Sequence, residues 1–271
     1  MGIPNDTAPP HYVHIVSRWD IEMAITDRTV AIGYAAREGA HPPLEEVVEV
    51  GRANNIPVIV DAAAQLPPAR NLHRFIDEGA DLVAFSWGKG MCGPQASGIL
   101  CGRKDLIASA ALQMLDMAGS PFDEWFPADS LIPKDRLRGK PQHGVGRGFK
   151  VSKEAIAGLM TALDLFTEES VKEKSACFAE LLQSIADRVK DIPGMTVEIT
   201  GGYPEGFPLL VLSLDEAAKM SASEVLAELK MNRIYLRRTT GSSDRLSVHP
   251  INLDEDSAAA IAEWLRIVLT G

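Results

Sequence analysis

Two residues with reactive side chains follow consecutive short apolar runs of the sequence. Asp61 ends the run PVIVD, and Lys89 lies just beyond the run DLVAFS, between two glycines. Alternation of such runs with helical patterns predicts a mostly parallel sheet, in which ligands bind beyond the carboxyl ends of the strands. Because the two residues are 28 positions apart (89 − 61), a single helical crossover separates them. We therefore expect both side chains to reach one pocket.

An acid and a lysine in one pocket suit pyridoxal phosphate. The lysine amine forms a Schiff base with the aldehyde of this cofactor, and the carboxylate pairs with the protonated pyridine nitrogen. Ser86 is placed to donate its hydroxyl to the cofactor phosphate, and the glycines beside Lys89 allow the backbone to approach the ligand closely. Each residue alone also has an ordinary interpretation, with Asp61 as a helix N-cap and Lys89 as a surface charge.

The remaining pattern predicts two regions. From Thr29 the strand patterns TVAIGYA, PVIVDA, DLVAFS and GIL alternate with helical ones, and a less regular stretch runs from Asp116 to Phe149. Ser152 is a candidate N-cap for a helical pattern that continues to about Lys190. After it, the order strand, strand, helix, strand, strand, helix predicts a compact α+β layer. We expect a large domain over residues 1–150 and a small domain over residues 151–271.

The composition argues against several kinds of partner. The chain has 27 Lys and Arg against 37 Asp and Glu, a net charge of −10, which disfavours a broad nucleic-acid surface or an anionic membrane, so we do not expect a tRNA partner. We find no leader-like segment and no apolar run that could span a bilayer, which predicts a cytoplasmic protein. Three cysteines without paired spacing fit a reducing compartment.

Other reactive side chains lack the partners that chemistry requires. Cys92 is close to the candidate lysine, but no histidine partner is predictable, so we interpret it as a loop or buried residue. His11 and His14 have no identifiable third ligand, and we predict no metal site. Arg237 and Arg238 end a strand of the predicted small domain. One of them would suit a substrate carboxylate, and no motif chooses between them.

Three segments resemble one enzyme family. PVIVDAAAQLPPARNL, GADLVAFSWGKGMCGPQASGILCGRKDLI and GRGFKVSKEAIAGLMTAL are similar to the pyridoxal-phosphate family of selenocysteine synthase (L-seryl-tRNA selenium transferase) and the D-glucosaminate-6-phosphate ammonia-lyases. The resemblance extends from about Thr26 to the C-terminus and is densest between Pro57 and Leu163. It implies an α/β fold of the aspartate aminotransferase type, with a mostly parallel sheet in the large domain and a small C-terminal α+β domain.

The resemblance also implies roles for individual residues. It assigns the Schiff-base lysine to Lys89 and the pyridine-nitrogen aspartate to Asp61. The segment that ends at Gln95 resembles one that reaches the cofactor phosphate of a neighbouring subunit, which implies a homo-oligomer with a shared site. Arg147 and Lys150 match a basic pattern that would face an anionic substrate group. Family members have an N-terminal region that binds the phosphate, so we expect this sequence to be a shortened form with an incomplete large domain.

Two hypotheses follow for the function. The first is a lyase or transferase, dependent on pyridoxal phosphate, that acts at Cα or Cβ of an amino acid or amino sugar acid with an anionic group. Lys89 is then both the Schiff-base residue and the base at Cα. The second is a truncated or degenerate family member without cofactor, which serves as a non-catalytic oligomerising or partner subunit. Cofactor binding that depends on Lys89 separates the two hypotheses.

Overall fold

The structure, a computed structural model, describes residues 16–37, 39–117, 119, 121–239 and 241–271. The chain divides into two compact units. The first contains the described residues up to Leu66 together with Arg70–Ala162, and the second contains Pro67–Ala69 and Leu163–Gly271. The segment from residue 151 to Ala162 therefore lies in the first unit, and the domain boundary near residue 150 stays a prediction.

A four-stranded sheet forms the centre of the first unit. Its strands β1 (Ile32–Ala35), β2 (Val58–Asp61), β3 (Leu82–Ser86) and β4 (Gly98–Gly102) lie in that order. The first three strands are parallel, and β4 is antiparallel to β3. The prediction of a mixed α/β fold with a mostly parallel sheet is confirmed. The carboxyl ends of β2 and β3 are adjacent as a result.

Helices connect and flank these strands. They are α1 (Arg18–Ala24), α2 (Leu44–Ala53), α3 (Asn71–Asp77), α4 (Lys104–Gln113), α5 (Lys153–Leu165) and two 3₁₀ helices at Lys134–Arg136 and Val145–Phe149. Helix α2 is an example of how the sequence determines these helices. Its apolar side chains recur on one side, which is the side that packs on the sheet. Leu44, Val47 and Val48 are buried, so the helix covers one face of the sheet and stabilises the parallel arrangement.

An antiparallel sheet with helices on it forms the second unit. The strands lie in the order β5 (Met195–Gly201), β6 (Pro208–Leu214), β8 (Arg245–Val248) and β7 (Arg237–Arg238). The helices are α6 (Glu168–Val189), α7 (Ala222–Met231) and α8 (Glu255–Thr270), with a 3₁₀ helix at Pro250–Asn252. Alternate side chains of β6 point into one core, in which Leu210 and Leu212 are fully buried beside Leu265 of α8. The predicted C-terminal α+β layer is confirmed.

The helical pattern that we predicted to continue to Lys190 is interrupted. Helix α5 ends at Leu165 and α6 begins at Glu168. Between them, the side chain of Thr167 accepts a hydrogen bond from the main-chain N of Ser170 at 3.2 Å, and the side chain of Ser170 accepts one from the main-chain N of Thr167 at 3.0 Å. This reciprocal cap satisfies main-chain donors at a new helix start, so the predicted helical pattern forms two helices, of which the second ends at Val189.

Among the described residues, the structure has no helix of the length and apolar character that crossing a bilayer requires.

Candidate active site

Asp61 and Ser86 lie on one face of the sheet, at the carboxyl ends of neighbouring parallel strands. Asp61 pairs with Ala84 in the register of β2 and β3, and side-chain alternation then places Ser86 on the same face. Val58 and Val60 of β2 are buried on the opposite face. Because a shift of one residue would move these valines out of the core, their burial fixes the direction in which Asp61 points.

The carboxylate of Asp61 is oriented locally and keeps one oxygen available. Its Oδ1 accepts a hydrogen bond from the main-chain N of Ala63 at 2.9 Å, as in a turn closed by an aspartate side chain. Its Oδ2 has no hydrogen-bond or ion-pair partner among the residues that the structure describes, and the side chain is exposed. The free oxygen can therefore accept a hydrogen bond from a ligand.

Lys89 lies in a turn directly after β3. The main-chain N of Cys92 donates to the carbonyl of Lys89 at 2.9 Å and closes this turn. The Lys89 side chain is exposed and makes neither a hydrogen bond nor an ion pair within the described part of the chain. Its amine is thus not engaged by a protein carboxylate and is available to a ligand. The loop position of Cys92 agrees with its interpretation as a loop residue.

A buried tryptophan anchors the turn of Lys89. The sequence pattern did not predict this role. Trp87 is fully buried. Its main-chain N donates to the carbonyl of Ser97 at 3.1 Å, and its own carbonyl accepts from the main-chain N of Gly93 at 2.9 Å. A Cβ at Gly93 would lie 2.4 Å from Cδ1 of the indole, so the ring fills the space that any larger residue would need. The only signal in the sequence is a glycine six positions after the tryptophan.

Gln95 lies against the glycine that precedes Lys89. A Cβ at Gly88 would be 2.4 Å from Oε1 of Gln95 and 2.6 Å from its Cα, so a side chain at position 88 would clash with the backbone of this segment. The hydroxyl of Ser97 donates to the carbonyl of Pro94 at 2.6 Å and fixes the bend before Gln95. The structure therefore places Gln95 against the lysine loop of its own chain, and its contact with the cofactor phosphate of a neighbouring subunit stays a prediction.

Arg147 and Lys150 belong to a different segment of the first unit. Arg147 lies in the 3₁₀ helix Val145–Phe149, and Lys150 directly follows this helix. Both side chains are exposed and have no hydrogen-bond or ion-pair partner among the described residues. Helix α5 begins shortly after them and contacts the lysine loop, since a Cβ at Gly158 would lie 2.7 Å from Cγ of Pro94. Five residues of helix, roughly 8 Å of rise, separate that contact from the helix start.

In the second unit, the environments of the two candidate arginines differ. The guanidinium of Arg238 donates to the hydroxyl of Ser223 on α7. Arg237 pairs with Ser247 across β7 and β8, and this register places it on the same face as His249. Partial desolvation and then the charge of Arg237 hold the pKa of His249 below its usual range.

The described residues include no group of three or more His, Cys, Asp or Glu side chains that could hold a metal ion. The candidate histidines His11 and His14 lie outside the described residues.

Comparison with known proteins identifies the class of the chain. The family model for aminotransferase class-V matches residues 16–238, a range that contains both strand ends, the lysine loop and the basic segment. The chain belongs to the class-V aminotransferase family. Its fold also resembles the solved structure of D-glucosaminate-6-phosphate ammonia-lyase, with a TM-score of 0.59 and 24% identity over 94% of this chain and 61% of that one.

Curated relatives of this class-V chain include lyases and transferases. It is 30% identical to 5'-C-glycyluridine monooxygenase-decarboxylase of a Streptomyces species, over 99% of this chain and 59% of the relative. It is 28% identical to D-glucosaminate-6-phosphate ammonia lyase of Salmonella typhimurium, over 93% of this chain and 61% of the relative. An L-seryl-tRNA(Sec) selenium transferase of Nitratidesulfovibrio vulgaris is 24% identical over 92% of this chain and 54% of the relative. The chain thus spans between half and two thirds of the length of these relatives, and the family resemblance found in the sequence is confirmed.

The cofactor of this family is pyridoxal 5'-phosphate, and the residues at the sheet edge fit it. A carboxylate oxygen without a described partner ends β2, and a lysine amine without one follows the adjacent strand β3; these two groups are the types that the ring nitrogen and the aldehyde of the cofactor require. Gly88, the residue before Lys89, makes a close approach to the main chain of Gln95. Lys89 and Asp61 would hold the aldehyde and the ring nitrogen, and Ser86 ends β3 on the face of the sheet that carries Asp61.

Proposed function

We propose that this chain carries the catalytic lysine of a lyase or transferase that depends on pyridoxal phosphate. The reaction takes place at Cα or Cβ of an amino acid or amino sugar acid with an anionic group. One observation carries the proposal: Asp61 ends β2, Lys89 follows the end of the neighbouring parallel strand β3, and each has a polar atom with no partner among the described residues. When bound, the cofactor supplies an electron sink that weakens the bonds at the substrate Cα.

Lys89 has two tasks in this proposal. Its amine would hold the cofactor through a covalent bond to the aldehyde. Its Nζ would also be the base that accepts the proton from the substrate Cα. The loop anchored by Trp87 keeps Nζ beyond the end of β3 during both tasks.

Asp61 and two neighbouring side chains complete the cofactor site. The negative charge of Asp61 would favour the protonated ring nitrogen, on which the electron-withdrawing property of the cofactor depends. The hydrogen bond from the main-chain N of Ala63 to Oδ1 orients the carboxylate for this contact. The hydroxyl of Ser86 and the amide of Gln95 bind the phosphate, with Gln95 reaching the cofactor of a neighbouring subunit.

Arg147 and Lys150 bind the anionic group of the substrate. Both are exposed cations with no carboxylate partner in the described part of the chain, so their charge is available to a ligand. The contact of α5 with Pro94 supports their assignment to the same site, because this helix leads from the basic segment to the lysine loop. Helix α5 therefore couples substrate binding to the position of the reacting lysine.

The exposure of Asp61 and Lys89 supports a shared site and also favours a second candidate function. A site at which the cofactor lysine reacts requires exclusion of water, and a neighbouring subunit of a cytoplasmic homo-oligomer would provide that cover. If no such cover forms, the chain is a non-catalytic oligomerising or partner subunit without cofactor.

The visible absorption spectrum of the chain mixed with pyridoxal phosphate tests the proposal. We expect a new band that persists after gel filtration and is absent in Lys89→Ala. Lys104→Ala is the matched control, because Lys104 is also exposed in the first unit but begins α4; it should retain the band. A chain that gives no band, or one whose band survives in Lys89→Ala, would rule out the enzyme proposal.

A further inference from the structure

A pocket of about 460 Å³ opens in the first unit, and none of the candidate site residues lines it. The segment from Leu137 to Gly144 forms most of its wall, and Leu112 and Gln113 at the end of α4 form the rest. Its volume falls in the range of small-molecule sites. We call it the Arg138 pocket, after the arginine in its lining.

The charge of the Arg138 pocket is positive in a protein that is acidic as a whole. Arg138, Lys140 and His143 line it, and no aspartate or glutamate does. The chain from residue 134 to residue 153 has seven Lys and Arg and one Asp, a net charge of +6 (7 − 1), against −10 for the whole sequence. A local excess of this kind in a concave surface concentrates anions there.

Main-chain donors add to this positive character. The main-chain N–H groups of Arg138, Gly139, Gln142 and His143 donate to no acceptor among the residues that the structure describes. His143 has a φ of 54°, in the left-handed region that non-glycine residues rarely adopt. Successive unpaired N–H groups in an irregular loop are a common anion-binding arrangement. The Arg138 guanidinium likewise has no ion-pair partner in the described part of the chain.

The loop is fixed to the end of α4, so the pocket is built before any ligand arrives. The main-chain N of Met117 donates to the carbonyl of Pro141 at 2.9 Å, and that of Gly144 donates to the carbonyl of Leu115 at 3.2 Å. A Cβ at Gly144 would lie 2.2 Å from the carbonyl oxygen of Gln113. The backbone of the loop therefore touches the backbone of the helix end, which only glycine permits.

We propose that the Arg138 pocket binds the phosphate group of a small molecule, at a site separate from Lys89 and Asp61. A phosphate fits better than a carboxylate, because it can occupy the planar fork of an arginine and still accept hydrogen bonds from a second cation and from main-chain N–H groups. The concave shape suits a small phosphorylated compound. Asp116 is the nearby acid along the chain, and its buried Oδ1 has no described partner, but it does not line the pocket.

Calorimetric titration of the full chain with inorganic phosphate and with glucose 6-phosphate, at constant ionic strength, tests this site. We expect saturable binding that Arg138→Gln weakens at least about tenfold, the loss expected for a charge-assisted hydrogen bond. Arg136→Gln is the matched control, because Arg136 is exposed in the adjoining 3₁₀ helix and does not line the pocket. If the chain binds glucose 6-phosphate more tightly than inorganic phosphate, the ligand of the pocket is a phosphate monoester. If it binds the two with equal affinity, the ligand is free phosphate.

Two further variants separate this site from the proposed cofactor site. The binding that Arg138→Gln weakens should persist in Lys89→Ala and in Ser86→Ala, whether or not the chain is an enzyme, because neither residue lines the Arg138 pocket. Binding that is lost in Ser86→Ala and kept in Arg138→Gln would place the phosphate at the cofactor site and overturn the proposal. Absence of saturable binding at millimolar phosphate in the folded chain would overturn it as well. Circular dichroism of each variant verifies the fold.

Discussion

The indole of Trp87 occupies the space in which a side chain at Gly93 would begin, with Cδ1 2.4 Å from the position of such a Cβ. A contact this short forces either the ring or the loop to move. Since Trp87 is fully buried, the ring has no free space to enter. The position of the Lys89 turn therefore depends on a glycine four residues after the lysine.

Gly93→Ala should destabilise the first unit by about 1 to 3 kcal/mol, the usual cost of overpacking, and should weaken cofactor binding by displacing Lys89. Gly33→Ala is the matched control, because a Cβ at Gly33 of β1 would meet no atom within 4 Å. Urea unfolding measures the first effect, and the visible cofactor band measures the second. Equal stability of the two variants would contradict the packing described for Trp87.

Asp61→Asn should weaken cofactor binding without changing the free energy of unfolding. The amide oxygen can still accept the hydrogen bond from Ala63, and the side chain is exposed, so the fold loses little. The charge that pairs with the ring nitrogen is lost, which costs about 1.5 to 3 kcal/mol for a charged hydrogen bond, or roughly tenfold to a hundredfold in affinity.

Titration of the chain with pyridoxal phosphate, followed by absorbance, gives the affinity of Asp61→Asn. Asp77→Asn, at an exposed carboxylate at the end of α3, serves as the control. If Asp61→Asn binds pyridoxal phosphate as tightly as Asp77→Asn does, Asp61 is not part of the cofactor site.

The pKa of His249 should rise when Arg237 is neutralised. Desolvation is the larger cause of its lowered pKa, and the positive charge of Arg237 is the second. Both disfavour the protonated ring, so removing the charge shifts the pKa upward toward the usual histidine value but not fully to it. Proton NMR titration of Arg237→Gln measures the shift.

Arg238→Gln is the control for this titration, because Arg238 is bound to Ser223 on α7 and is not among the causes of the shift. We expect it to leave the pKa of His249 unchanged. A rise in the pKa of His249 in Arg238→Gln, with none in Arg237→Gln, would mean that Arg238 and not Arg237 lies on the face of the sheet that carries His249.

The local pattern of apolar residues predicted the strands of the first unit and their order. The buried runs before Asp61 and Lys89 formed parallel strands in the expected order, because few arrangements bury two such runs with one crossover between them. The break between α5 and α6 was not predicted, since the apolar period continues across it and the decisive hydrogen bonds are those of Thr167 and Ser170. A pattern of apolar residues carries no information about a cap of that kind.

The candidate site was only partly predictable for a related reason. Which residues end a strand can be read from the pattern, but the burial of Trp87 against Gly93 depends on packing between loop and core, which has no periodic signal. The Arg138 pocket belongs to an irregular stretch, and main-chain hydrogen bonds to the end of α4 shape it. Charge counting along residues 134–153 would have indicated the basic segment, but not the concave surface that it forms.

Reduction of the chain with borohydride in the presence of pyridoxal phosphate, followed by peptide mapping, tests the central claim most directly. Borohydride makes the bond between a lysine and this cofactor permanent, so the labelled peptide identifies the lysine. We predict a single labelled peptide that contains Lys89, with label reduced in Asp61→Asn at limiting cofactor. Label spread over many exposed lysines, or absent from the Lys89 peptide, would contradict the proposal that this lysine holds the cofactor.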